Sequence, residues 1–128
     1  GLEVEALGNR PGVYSARYGG PSLSDKERHE LLLREIKAVW QQSGAVNRRA
    51  AFVCSLVFIP DNESIYYSDS RIDGSVLDEP KGKNGFGYDP IIHIDSIGAT
   101  LAEVDFSITC AQGFRGKALR GLFSQFTW

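Results

Sequence analysis

Methionine is absent from this 128-residue chain, which opens on Gly1. Gly1 is therefore expected not to be a translation start, an initiator, tag or larger segment having been removed ahead of it. Cysteine is scarce. Cys54 and Cys110 lie far apart, at no metal-ligand spacing and in no disulfide framework, and Cys54 falls in an apolar run that suits a buried free thiol. A reducing, cytoplasmic setting is the expectation. No apolar run approaches the roughly 18 residues that span a bilayer, and no segment has the form of a signal peptide, so no membrane partner is expected. There is little excess charge of either sign, with a formal net charge of −2. That argues against a protein that coats nucleic acid with a basic face, but leaves room for a small anionic ligand held by a local patch.

What is present reads as globular: 42% hydrophobic and 23% charged residues, in a length suited to one domain over residues 1–128. Leu2 to Leu7 alternates apolar and acidic, the period of a half-buried strand. Gly8 to Pro21 reads as an ordered loop, because Tyr14 and Tyr18 need somewhere to pack. Ser24 and Glu27 have the spacing of a capping box and predict a helix to about Gln42. Leu32, Ile36 and Val39 lie on its core face, widened by Leu33 and Trp40. His29 falls in its first turns and reads as a solvated histidine. Ala50 to Ile59 predicts a central strand buried on both faces. Pro60 to Glu63 makes a turn, Ser64 to Ser70 a hairpin partner, and Ile72 to Leu77 a further strand interrupted by Gly74. Pro90 to Ile94 predicts a short strand, and Thr100 to Val104 the start of a helix. A last helix is expected from about Gly113 to Phe126, with Leu119, Leu122, Phe123 and Phe126 on its apolar face. Arg115, in its first turn, reads as a solvated charge or as a cation aimed at an anion near the glycine-rich loop.

That loop runs from Pro80 to Pro90 and carries Gly82, Gly85 and Gly87 among two lysines, two aromatics and a carboxylate. On residue chemistry alone it reads first as a turn between strands. The alternative is a ligand loop, in which glycine permits close backbone approach, Phe86 and Tyr88 offer faces to a base, Asp89 accepts from ring N–H groups, and Lys81 and Lys83 attract phosphate. It is neither a P-loop nor the dinucleotide fingerprint, since no Gly-Lys-Ser/Thr ends it and Pro90 stands where the third glycine belongs.

Five stretches together tip the balance toward the ligand loop: 1–7, 11–18 (Pro-Gly-Val-Tyr-Ser-Ala-Arg-Tyr), 85–90 (Gly-Phe-Gly-Tyr-Asp-Pro), 100–104 and 115–119. In order and spacing the chain resembles the inosine triphosphate pyrophosphatase family over nearly its whole length. The resemblance implies an α/β fold with an elongated mixed sheet and flanking helices, of the anticodon-binding-like type, with two lobes around a cleft and usually a homodimer. It implies hydrolysis of ITP, XTP and dITP to the monophosphate and pyrophosphate, with Mg²⁺ neutralising phosphate charge. By that resemblance Phe86, Gly87, Tyr88 and Asp89 form the nucleotide-binding segment, and Arg115 is the arginine beside the base. Where the family has serine and histidine before this arginine, the chain has Gly113 and Phe114. Six residues after Glu103, where the family has a lysine, stands Thr109. The resemblance thus implies fewer donors for the purine oxygen, with Phe114 offering stacking in their place.

Gly1 aligns with the last residue of the family's Asp-Asp-Ser-Gly motif. The chain as written therefore corresponds to roughly the C-terminal two thirds of the family fold, and neither catalytic acids nor metal ligands are assigned within it. Asp69, Asp73, Asp78 and Glu79, with Asp61 and Glu63, read as strand and turn residues rather than a substitute metal site. Two readings follow. One is a pyrophosphatase completed by a segment outside this chain. The other is a truncated, diverged, non-catalytic homologue that binds nucleotide or a protein partner. An exposed sheet edge is expected to be covered by dimerisation or by the missing segment.

Overall fold

The computed structural model describes residues 1–126. Among them six strands form one sheet: β1 (Leu2–Val4), β2 (Arg10–Gly12), β3 (Arg49–Phe58), β4 (Tyr66–Val76), β5 (Ile92–Ile94) and β6 (Ala99–Thr100), in the order β2-β1-β3-β4-β5-β6. Three helices accompany them: α1 (Asp25–Ser43), α2 (Phe106–Gln112) and α3 (Phe114–Phe123). The expected α/β architecture is present, and every pairing among the described strands is antiparallel.

Cross-strand rows show how the core is built. Leu2, Phe52 and Ile72 stand side by side, as do Val4, Ala50, Gly74 and Ile94. All are buried or backbone-packed, and they join Leu32 and Ile36 of α1 and Phe114 of α3 in one apolar cluster. The neighbouring row points to the other face, which is polar: Arg71 pairs with Glu3 at 3.0 Å and Asp73 at 2.9 Å, and Arg49 with Asp95 at 3.1 Å. Exposed pairs of this kind each contribute about 0–1 kcal/mol, so the sheet is held by its helix-covered face.

α1 follows its sequence signals closely. Ser24 Oγ accepts from the Glu27 N–H, and the Glu27 carboxylate accepts from the Ser24 N–H. Gly44, at φ +71°, ends the helix in the left-handed conformation that glycine tolerates.

Elsewhere tertiary packing overrides local pattern. β3 is buried on both faces only at Ala50, Ala51 and Phe52, and Val57 and Phe58 are exposed. The reason is length. β1 flanks β3 only up to Phe52, and β5 flanks β4 only from Gly74, so the rest of β3–β4 continues as a two-stranded arm with open edges, covered on one face by α3. Cys54, at the root of this arm, is half-buried rather than buried. β4 is also one continuous strand, not two. Gly74 does not interrupt it. A Cβ there would lie 2.1 Å from the His93 carbonyl oxygen of β5, so glycine permits the close pairing.

Thr100 to Val104 does not begin a helix. Thr100 ends β6, and α2 starts only after Asp105, whose carboxylate accepts from the Ile108 N–H at 3.2 Å. The last helix starts where expected, with Gly113 both ending α2 and capping α3, but it stops at Phe123 rather than Phe126. Phe114 stacks on Phe52 with ring centroids 4.8 Å apart and planes 8° apart. That contact sets the rotation of α3, so Phe114, Ala118 and Leu122 face the sheet while Leu119 and Phe123 are exposed. Phe126 sits instead beside Phe58 and Tyr66, at 5.5 Å and 4.8 Å.

Candidate functional site

The glycine-rich loop is pinned from behind by the segment after β6. The Asn84 N–H donates to the Ala102 carbonyl and its side-chain amide to that of Val104, both at 2.9 Å, and Thr100 Oγ1 donates to the Lys81 carbonyl at 2.8 Å. At Gly82 (φ +92°) a Cβ would come within 2.2 Å of the Ala102 oxygen, so only glycine lets the two backbones meet. The stretch 100–104 thus supports the loop and does not line the site.

Ahead of this support the loop turns on Asp89. Its Oδ2 accepts from the Phe86 N–H at 3.0 Å, and a Cβ at Gly85 would lie 2.3 Å from the same oxygen. Asp89 is 5% exposed. Its first duty is therefore to close the turn, which differs from the expectation of a carboxylate open to a ring N–H. Burial pushes its pKa up from the ordinary aspartate range, while the Phe86 N–H and the charge of Arg115 pull it down. The folded state thus binds the proton more tightly than the unfolded chain. It follows that this group subtracts from stability above its folded pKa, and that the penalty fades as pH falls toward the unfolded value. Asp89→Asn, whose amide oxygen still accepts from Phe86, is expected to melt at or above the wild-type temperature at pH 7. The two should converge near pH 3.5 (below the ordinary Asp value of about 3.9). An Asn variant that melts lower at pH 7 and recovers only in acid would refute this.

Tyr88 is buried, donates its hydroxyl to the Ser15 carbonyl at 2.7 Å, and has its pKa pushed up to about 12 by burial. Ser15 in turn accepts from the Leu2 N–H at 2.8 Å and donates to the Gly12 carbonyl at 2.6 Å. Stretches 1–7, 11–18 and 85–90 are thereby tied together around a cleft of ≈ 340 Å³, and Arg115 closes its far side. Phe86 is 64% exposed at the mouth. The Arg115 guanidinium carbon lies 4.8 Å from the Phe86 ring centre and 4.4 Å from that of Phe114, a cation held by two aromatic faces. Arg115 has no hydrogen-bond or ion-pair partner among the described residues, so its N–H donors are open to a ligand.

Phe114 departs from expectation. It lines the cleft, but at 4% exposure, with one face on Phe52 and the Arg115 guanidinium against its ring, it packs mainly in the core and leaves little open face for a base. Gly113 has no room for a side chain, since a Cβ would sit 2.4 Å from the Thr109 carbonyl. Thr109 lies on α2, donates its hydroxyl to the Asp105 carbonyl and does not line the cleft; nor do Lys81 and Lys83.

Three cleft residues escaped the sequence reading: Asp25, Arg28 and His29 of α1. His29 is 8% exposed, not solvated, and its Nε2 donates to the Gly87 carbonyl. Arg28 donates from Nε and Nη2 to the carbonyls of Tyr18 and Gly20, at 3.0 and 2.8 Å. A signal existed: Arg28, Leu32 and Ile36 are spaced four apart, so the arginine lies on the buried face.

Among the described residues no group of three or more His, Cys, Asp or Glu side chains could hold a metal ion. The two carboxylates on the cleft, Asp25 and Asp89, are each engaged by a loop N–H. Asp73 and Asp78 pair with Arg71 and Arg48. The described residues do not fit the Mg²⁺ that the resemblance implies. No helix among them is long and apolar enough to cross a membrane.

The fold and the cleft define an α/β protein with one antiparallel sheet among the described residues and an aromatic–arginine cleft beside a glycine-rich loop. A family model described as the Ham1 family matches residues 1–125, and the chain belongs to that family. A dITP/XTP pyrophosphatase of Thermus thermophilus is 42% identical over 127 residues, covering 98% of this chain and 58% of the relative. One of Geobacter sulfurreducens is 38% identical over 128 residues, covering 100% and 62%. A solved HAM1 protein from Coxiella burnetii superposes with TM-score 0.88 at 35% identity, covering 97% of this chain and 62% of the other. The chain thus spans about three fifths of the length of the relatives it matches.

Proposed function

We propose that this chain serves a nucleoside triphosphate pyrophosphatase acting on ITP, XTP and dITP, with monophosphate and pyrophosphate as products, and that its cleft receives the purine nucleoside. The observation that carries this reading is the Arg115 guanidinium held against Phe86 and Phe114 at the mouth of the cleft. In this arrangement the exposed Phe86 face takes the purine by stacking, worth about 1–3 kcal/mol. Arg115 donates to an acceptor on the base edge, which a 6-oxo purine supplies. The names of the Thermus and Geobacter relatives support the substrate class.

A second reading, nucleotide binding without turnover by this chain, is favoured by the lack of a metal-binding group among the described residues. One experiment separates the two: calorimetry with dITP, alongside pyrophosphate release in the presence of Mg²⁺. Release of pyrophosphate supports the first reading and micromolar binding without release the second. Neither binding nor release would sink both. We further propose a homodimer, supported by the exposed Val57, Ile59, Ile65 and Tyr67 on the arm; a native mass equal to one chain counts against it.

A further inference from the structure

We propose that Asp25 and His29 are positioning residues that clamp Gly87, so that the Phe86 ring stands ready for a nucleobase before any ligand arrives. The proposal rests on the reading of the cleft as a nucleoside site. Asp25 and His29 are four residues apart at the start of α1, and therefore on one side of the helix. Asp25 Oδ2 accepts from the Gly87 N–H at 3.2 Å, and His29 Nε2 donates to the Gly87 carbonyl. Both polar backbone groups of one loop residue are thus taken by a single helical turn.

Gly87 itself shows why a clamp matters. It sits at φ +60°, yet nothing lies within 4 Å of where a Cβ would be. The glycine answers to conformation rather than to crowding, and its flexibility leaves it weakly determined unless something holds it. On its C-terminal side Tyr88 is anchored by burial and by its bond to Ser15. On its N-terminal side the Phe86 main chain is tied to Asp89, its N–H to the carboxylate and its carbonyl to the Asp89 N–H, but the side chain is exposed, with Arg115 against its ring. An exposed aromatic on a glycine hinge has many orientations open to it, and ordering it at the moment of binding would weaken the complex. Fixing Gly87 through its N–H and its carbonyl removes that freedom in advance. His29 is nearly buried while making this bond, so the donor cannot readily exchange Gly87 for water.

The test reads the clamp with and without ligand. In the ligand-free protein, Asp25→Ala is expected to raise amide hydrogen exchange at residues 86–88 about tenfold, the scale of one net hydrogen bond. The Ser24–Glu27 capping box is untouched and the effect of a lost N-terminal charge fades within the first turn, so exchange in α1 beyond that turn should not change. Calorimetry with dITP should show binding about tenfold weaker in Asp25→Ala and in His29→Leu, whereas His29→Gln, whose amide still donates to Gly87, should regain most of the loss. Loop exchange unchanged in Asp25→Ala overturns the clamp. A loosened loop with unchanged dITP affinity overturns its role in binding, and so does His29→Gln behaving like His29→Leu. If the wild-type protein binds no dITP, the nucleoside reading falls, and exchange alone decides the clamp.

Discussion

Arg115→Ala is expected to weaken dITP and ITP binding by about a hundredfold while lowering the stability of the fold by about 1–2 kcal/mol. Arg115 is exposed at the start of α3 and makes no hydrogen bond or ion pair among the described residues. Its removal costs the folded protein its contacts with the Phe86 and Phe114 rings, about 0.5–1 kcal/mol each at an exposed site, and the attraction of its charge for the buried Asp89 carboxylate. The bound complex loses more: a charged donor to the base edge, about 1.5–3 kcal/mol, and the support behind the stacking ring. Arg115→Lys keeps the charge but not the planar fork that lies flat on two rings and presents several donors at once, so it should recover only a small part of the loss. Calorimetry on the three proteins, with thermal melting as the control, decides the matter. Equal affinity in wild type and Arg115→Ala would remove Arg115 from the site.

Phe114→Ala should instead act through stability, lowering it by about 3–5 kcal/mol. The ring is almost wholly buried, stacked on Phe52, and sets the rotation of α3 on the sheet. Its main chain is also engaged, since the Ser70 hydroxyl donates to the Phe114 carbonyl. Phe114→His tests the same point more gently. An imidazole can stack on Phe52, but it brings two ring nitrogens into an apolar contact, and a loss of about 1–3 kcal/mol is expected if they find no partner. Chemical denaturation reads both variants. If Phe114 were a free platform for a base, Phe114→Ala would lower nucleotide affinity with no change in the denaturation midpoint, and the assignment of this ring to the core would fail.

These two neighbours, one binding outward and the other packing inward, mark where the sequence stopped being readable. The last helix has apolar residues enough for more than one buried line, and periodicity cannot choose between Leu119 with Phe123 and Phe114 with Ala118. Only the stacking of Phe114 on Phe52, across sixty-two residues of chain, makes the choice. The same reason holds for His29. A histidine in a first helical turn is usually solvated, and nothing local announces that the Gly87 carbonyl, 58 residues further along, will arrive against it. The apolar run of β3 suggests two buried faces because it carries no record of how far its neighbouring strands extend.

The sequence alone determined what depends on adjacent residues: the capping box and core face of α1, the glycine-rich turn, and the stretches that carry the family resemblance. These are set by hydrogen bonds and φ values within a few positions, so the order of residues suffices to specify them. Tertiary structure alone decided which faces are buried, that Gly74 and Gly113 serve close backbone contacts, and that Asp25, His29, Phe86 and Arg115 meet around one cleft. Those outcomes rest on contacts between segments far apart in the chain, where burial and steric fit select one arrangement among several that local pattern allows.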